Sequence, residues 1–497
     1  MGQSALLPLD PRSIRALKAH LTLCLYDHEC GGPTDAPPPT RLLDLDGPDA
    51  DHIKLVESAS AGIKNGRYAA LSYTWGQCNT FIATPATLGE RLQGFRLEEL
   101  PQTLRDAVKA ARYLGCRYLW IDALCILQGP TPEAQADWER ESARMEATYS
   151  NAVVTIVAAG AKHSNSGLHG RARPRAAAGG PDDPDKWWFK DEPINSRAWA
   201  LQEWVLSSRV ATFTSRGAYF HCERSGIPSD LAYRSFYNFQ LPRSPAEVRP
   251  GVWGFIVRNY TSRSLSNPSD KLPALAGLAR RFDRLSGGAA GRYLAGLWEA
   301  TLPADLEWRR DNGFRAFLAQ PREQEDAVAA GAAEAGRRYR APSWSWAAVD
   351  GIVVTTRHEV GTAPAAEVLA CETHLATADP YSAVAGGRLV VRGPARTADA
   401  LDVRGPGYPR LRGGGADLAR VWLDDDDDDA LADAAGGRGF HCLVMQAAQD
   451  RCRGIVLVWA GEEGDGELYR RIGYFVCANL DEDERFRGAS RREFTVV

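Results

Sequence analysis

Apolar positions along this chain change period as they run, and each change marks an element. Residues 12–24 form a basic amphipathic stretch, which the Gly/Pro-rich segment 31–39 breaks. Two short apolar segments, 41–45 and 53–56, read as edge strands. The run 68–75 (YAALSYTW) is a compact β-type segment closed by Gly76. In 100–115 (LPQTLRDAVKAARYLG), Leu104, Ala107, Val108, Ala111 and Leu114 recur at helical spacing. A proline opens that helix and Gly115 supplies its stop signal. Residues 118–127 (YLWIDALCIL) are almost wholly apolar, with one acid, Asp122, embedded in the strand. Residues 137–150 are helical, with Trp138, Met145 and Tyr149 on an apolar side, and 152–159 (AVVTIVAA) is a buried strand. Strand, helix, strand, helix, strand, with continuous apolar strands, predicts an α/β fold: a parallel sheet covered by helices on both faces.

Further along, 170–190 is rich in Pro, Gly and Asp and reads as a loop. Residues 196–206 (SRAWALQEWVL) are helical again and 209–220 is one strand. From 250 to 310 the pattern is mostly helical and carries Trp253, Trp298 and Trp308. Past Ser343 it becomes short β-type runs at 351–356, 388–392, 440–445, 455–460 and 472–477, which predict an antiparallel β-rich region. The 497 residues allow two or three domains. The expected division is a lead-in at 1–66 that packs on the next domain, an α/β domain at 67–225, a mainly helical region at 226–340 and a β-rich region at 341–497.

Composition narrows the function classes. With 59 Lys+Arg against 63 Asp+Glu and a net charge of −4, no bulk basic field exists to recruit nucleic acid. At 44% hydrophobic and 25% charged the chain has ample core, neither disordered nor fibrous. No apolar run approaches the ~18–20 residues of a membrane span, and the first residues show no secretory pattern. A glycine follows the initiator methionine, but Leu6 stands where a myristoylation site wants Ser or Thr. The ten cysteines include no C-x-x-C pair, so no metal site and no disulfide framework is expected, and reduced cytoplasmic thiols are the default. Six consecutive aspartates at 424–429 read as a solvated loop rather than a calcium site, which would alternate ligands with spacers.

Candidate chemistry gathers where strands of an open α/β sheet end, the side on which such sheets bind ligands. Ser72, Tyr73, Trp75 and Gly76 lie at the end of the first strand; Asp122, Cys125 and Gln128 at or after the second; Arg197, Trp199, Gln202 and Glu203 on the later helix. Trp199, Gln202, Glu203 and Leu206 fall on one helical face. A carboxylate between Trp and Leu is either desolvated, with a raised pKa, or paired with an arginine such as Arg197. Asp122 is costly to bury without donors; a cap at the strand end is its plainer reading. Cys125 has the residue type of a nucleophile, but cysteines are among the most buried residues and no histidine motif accompanies it. No phosphate-binding glycine loop, dinucleotide fingerprint, zinc-protease helix or nucleophile elbow is present.

The strings 68–76 (YAALSYTWG), 100–106 (LPQTLRD), 118–128 (YLWIDALCILQ), 137–159 (DWERESARMEATYSNAVVTIVAA) and 197–203 (RAWALQE), in this order and spacing, resemble the fungal heterokaryon-incompatibility (HET) domain. The resemblance continues through 260–279, 293–298 (YLAGLW) and 341–346 (APSWSW) into the long C-terminal region such proteins carry. HET proteins are associated with non-self recognition and programmed cell death on cell fusion, which implies a cytoplasmic protein, self-association and an incompatibility partner. The domain is also distantly similar to Toll/interleukin-1 receptor (TIR) domains, flavodoxin-like folds, some of which hydrolyse NAD+ with a glutamate in a W-x-x-x-E context. Trp199 and Glu203 fit that context. The resemblance therefore implies Glu203 as the catalytic residue and NAD+ as a substrate rather than a cofactor. Ser72, Tyr73, Trp75, Gly76, Asp122, Cys125, Gln128, Arg197, Trp199 and Gln202 become its candidate binding residues. The alternative is a non-enzymatic module that signals by self-association and protein contacts.

Overall fold

The computed structural model describes residues 11–28, 30–31, 37–63, 67–76, 81–168, 189, 191–225, 251–311, 339–355, 364–402, 409–424, 438–447, 451–464, 466–477, 486 and 488–497. The chain divides into two compact units: 1–241 with 263–265 and 274–281, and 242–262 with 266–273 and 282–497.

The first unit opens on α1 (Pro11–Asp27), which buries Ile14, Leu17, Leu21 and Cys24, a stripe at helical spacing. Strands β1 (Arg41–Asp44), β2 (His52–Glu57) and β3 (Tyr68–Ser72) follow, then α2 (Leu88–Gln93), β4 (Phe95–Arg96) and α3 (Gln102–Leu114). Gly115 ends α3 in the left-handed conformation, its N–H returning to the carbonyls of Ala111 and Arg112. Next come β5 (Tyr118–Trp120), the single turn α4 (Asp122–Cys125), α5 (Pro132–Ser142), α6 (Met145–Ser150) and β6 (Val154–Ala158). Helix α7 (Trp199–Val205) and the hairpin β7 (Arg209–Thr214) and β8 (Gly217–Cys222) complete the sheet.

Its eight strands run in the order β4-β2-β1-β5-β3-β6-β7-β8. The four central strands are parallel, and antiparallel strands flank them on both sides. Taken in chain order, β3, β5, β6 and β7 lie 2-1-3-4, the flavodoxin-like winding whose crevice opens between β3 and β6 at their carboxyl ends. The parallel sheet expected from the apolar runs is therefore present, inside a mixed one. Strand β1, read as an edge, is interior and fully buried, because β2 and β4 continue the sheet beyond it. The single strand expected at 209–220 is a hairpin, since Ser215 and Arg216 turn the chain. The helix expected at 137–150 is two helices interrupted at Ala143–Arg144.

In the second unit, α8 (Val252–Thr261) and the end of α9 (Pro273–Ser286) precede a nine-stranded sheet between Glu367 and Val496. That sheet is antiparallel except where Gly466–Val476 meets Arg491–Val496. Outside the sheet, two buried tryptophans of this unit meet at one carbonyl: Trp253 and Trp346 both donate their indole N–H to Gly296 O, at 2.7 and 2.8 Å. Gly296 sits at φ +100°, and a Cβ there would lie 2.7 Å from the Trp346 ring, so only glycine admits both indoles. The segments YLAGLW and APSWSW thus meet. The helical content expected for 226–340 lies partly outside the described residues. The 170–190 loop lies outside them apart from Phe189, and the aspartate run apart from its first member. Asp424 is not solvated: it is buried and paired with the buried Arg471 at 3.0 Å. Cys452 and Cys477 form a disulfide, unlike the reduced thiols expected. They stand side by side at the ends of two paired strands, a closeness that 25 residues of separation conceal.

Candidate functional site

The carboxyl ends of β3, β5 and β6 hold a cluster of ionisable side chains. Glu203, on α7, is 1% exposed, and its Oε2 accepts the Ser72 hydroxyl at 2.5 Å from the last residue of β3. Tyr149, at the end of α6 and beside the carboxylate, donates its hydroxyl to Leu71 O at 3.2 Å. Arg197 enters just before α7 and donates to Tyr73 O. Asp122, two residues past β5, accepts the Trp75 indole N–H at 2.8 Å and the Ala123 N–H at 2.7 Å.

Burial pushes the Glu203 carboxyl up to about 7; Arg197 opposes the rise, Asp122 adds to it, and the Ser72 hydrogen bond and the neighbouring Tyr149 hydroxyl oppose it. Asp122 is likewise raised by burial, against Arg197 and its two donors. For Arg197, burial disfavours the charge, yet Glu203 and Asp122 together outweigh it and raise its pKa. One guanidinium thus serves two carboxyls that also repel each other, and burial holds both above the usual carboxylate range. Tyr149 is pushed well above its ordinary range by burial and by the same two acids.

The other expected site residues take different places. Tyr73 is fully buried behind Ser72, with Arg197 on its carbonyl. Gly76 is at φ +69°, where a Cβ would lie 2.3 Å from the His163 Cβ, so it is needed for the turn leaving β3. Cys125 is completely buried and raised by that burial to about 12, the reverse of an activated thiolate. The Gln128 amide donates to the carbonyls of Asp122 and Ile126, at 3.3 and 3.0 Å, and holds that turn. Trp199 is half-buried and meets Trp138 edge-on, with ring centres 6.3 Å apart. Gln202 does not join Glu203: it packs on Gly277, and among the described residues neither of its buried amide atoms has a hydrogen-bond partner. The single α7 face expected from spacing is therefore split, because the helix is enclosed on several sides. Asp122 leaves the strand to start α4, since β5 ends at Trp120.

Polar residues of the remaining strings are structural. Thr103 and Asp106 receive the backbone N–H groups of Gly167 and Leu168, at 3.0 and 3.2 Å, and tie down the loop after β6. Asp137 pairs with the buried Arg41 and accepts Leu127 N at 2.7 Å. A second constellation was not legible as a ligand set: Cys24, His28, Cys30 and Cys222 place their ligand atoms within 4.8 Å of one another. The local spacing C-x-x-x-H-x-C was the available signal; its fourth member lies almost two hundred residues away.

A doubly wound α/β domain with a buried acid–arginine cluster at its switch point is the class these features define. Residues 68–203 match the family model described as heterokaryon incompatibility protein (HET). Residues 68–203 of this chain are thus a HET domain. No curated protein and no solved structure matches it.

Proposed function

We propose that this protein is an effector of non-self recognition leading to programmed cell death, and that its HET domain hydrolyses NAD+ with Glu203 as the catalytic carboxylate. The observation that carries this reading is the Glu203–Ser72–Tyr149–Arg197 cluster at the carboxyl ends of parallel strands, with Glu203 poised near neutrality. In the reaction, the bond between nicotinamide nitrogen and ribose C1 breaks and water supplies the new C1–O bond. ADP-ribose, nicotinamide and a proton are released. The sugar becomes oxocarbenium-like, and the ionised Glu203 opposes that charge. Arg197 holds the carboxylate against the Asp122 charge, and half-buried Trp75 and Trp199 offer ring faces for nicotinamide or adenine. Self-association, which opens or completes the site, and an incompatibility partner belong to this reading.

A second reading, a non-enzymatic signalling module, is favoured by the enclosure of Glu203, whose carboxylate already holds Ser72. The full-length chain, concentrated enough to self-associate, is incubated with NAD+ beside Glu203→Gln, and nicotinamide release is followed by chromatography. Release by the parent alone supports hydrolysis. Silence of both folded proteins supports the signalling module and rejects the enzyme.

A further inference from the structure

We propose that Cys24, His28, Cys30 and Cys222 bind one zinc ion, which fastens α1 to the edge hairpin of the HET sheet. Three cysteine sulfurs and one imidazole nitrogen converge with all separations at or below 4.8 Å, and His28 Nδ1 is already 3.3 Å from Cys222 Sγ. A tetrahedral zinc with ~2.3 Å bonds to sulfur sets neighbouring sulfurs about 3.8 Å apart, so closure needs a contraction of roughly an ångström. The donor set, three soft thiolates and an imidazole, selects zinc over the hard cations magnesium and calcium. With four protein ligands the site is closed to water, the arrangement of a structural rather than a catalytic metal.

The surroundings match that charge. Three thiolates, a neutral imidazole and a dication sum to −1. Arg209, buried at the start of β7, donates its Nε–H to Cys24 Sγ at 3.2 Å and its Nη2–H to Cys30 O at 3.2 Å. Ser225 places its N–H and hydroxyl 3.4 and 3.3 Å from Cys222 Sγ. Such outer contacts orient and tune thiolate ligands. Glu223 then ties the two ligand-bearing segments together, accepting Gly31 N at 2.9 Å and the Ser208 hydroxyl at 3.0 Å. Three of the four ligands precede the family match at 68–203 and the fourth follows it, so the ion clips the flanks of the domain to each other.

The test uses the full-length protein, produced with zinc in the medium and purified without chelator. Elemental analysis is expected to find one zinc per chain, lost in Cys222→Ser and in Cys30→Ser. Replacement by cobalt(II) is expected to give the intense visible bands of a tetrahedral site with thiolate-to-metal charge transfer. This wild-type spectrum decides the matter where a serine variant fails to fold. Folded protein without zinc and without that cobalt spectrum overturns the proposal. So does a disulfide between any two of the three cysteines, found by mass spectrometry of the untreated protein.

Discussion

Replacing Glu203 by Gln tests whether burial or ion pairing governs the cluster, because the two predict opposite signs. The carboxyl titrates at about 7 in the fold against 4.5 ordinarily. At ~1.4 kcal/mol per pH unit, that difference is about 3 kcal/mol. A raised carboxyl pKa means the folded state holds the proton more tightly than the unfolded chain. The resulting stability is fully present below pH 4.5 and is lost as pH climbs through 7. Gln stays neutral and loses nothing over this window. The variant is therefore expected to melt close to the parent at pH 4.5 and above it at pH 8. For a unit of this size about 3 kcal/mol corresponds to roughly 6–10 °C. Thermal unfolding followed by circular dichroism at both pH values measures it. Comparing the two proteins at each pH cancels other titrations, such as buried His221, which is pushed down by burial to about 3 and destabilises the fold as pH falls. A Tm difference that does not change with pH, or a parent that gains on the variant at pH 8, would refute the reasoning.

Turnover supplies a companion expectation: if Glu203 acts as a carboxylate, kcat/KM for NAD+ rises with pH through about 7 and is flat in that range for any mechanism that does not use it. Gly76→Ala should cost about 1–3 kcal/mol in urea unfolding, because it meets both an unfavourable φ and the His163 side chain; an unchanged midpoint would show that the turn yields. Arg41→Met removes the buried partner of Asp137 and should destabilise by about 3 kcal/mol, read from the same midpoint. Gln202→Leu removes a buried amide with no hydrogen-bond partner among the described residues, so its midpoint should hold or rise. Cys125 should resist iodoacetamide in the folded protein at pH 8, as its burial and raised pKa require.

Much of the α/β core was legible because continuous apolar strands and one strongly amphipathic helix bury their faces locally. The α3 stripe from Leu104 to Leu114 and the buried β6 run needed no knowledge of their neighbours. What escaped depended on partners distant in sequence. Nothing near β1 announces that β2 and β4 extend the sheet past it. Asp122 looked embedded in a strand because the apolar run continues into a helical turn, and periodicity cannot separate the two over so few residues. Ser72 at the end of β3 does meet Glu203 on α7, but Gln202 and Glu203 diverge because α7 is enclosed on several sides. The cysteine–histidine cluster and the Cys452–Cys477 bond share one cause. Covalent and metal-type proximity is a property of the folded chain, while spacing rules see only near neighbours.

The boundaries of the family match carry a practical consequence for anyone expressing the domain. A fragment limited to 68–203 would keep β5, β3 and β6 but remove β1 from one side and β7 from the other. Two rows of backbone N–H and C=O groups, on strands whose faces are almost entirely apolar, would then meet solvent. Bare edges of this kind template intermolecular pairing, and the fragment would be driven toward insoluble aggregates whatever its activity. In the intact chain, β1 on one side and β7 on the other act as protective margins.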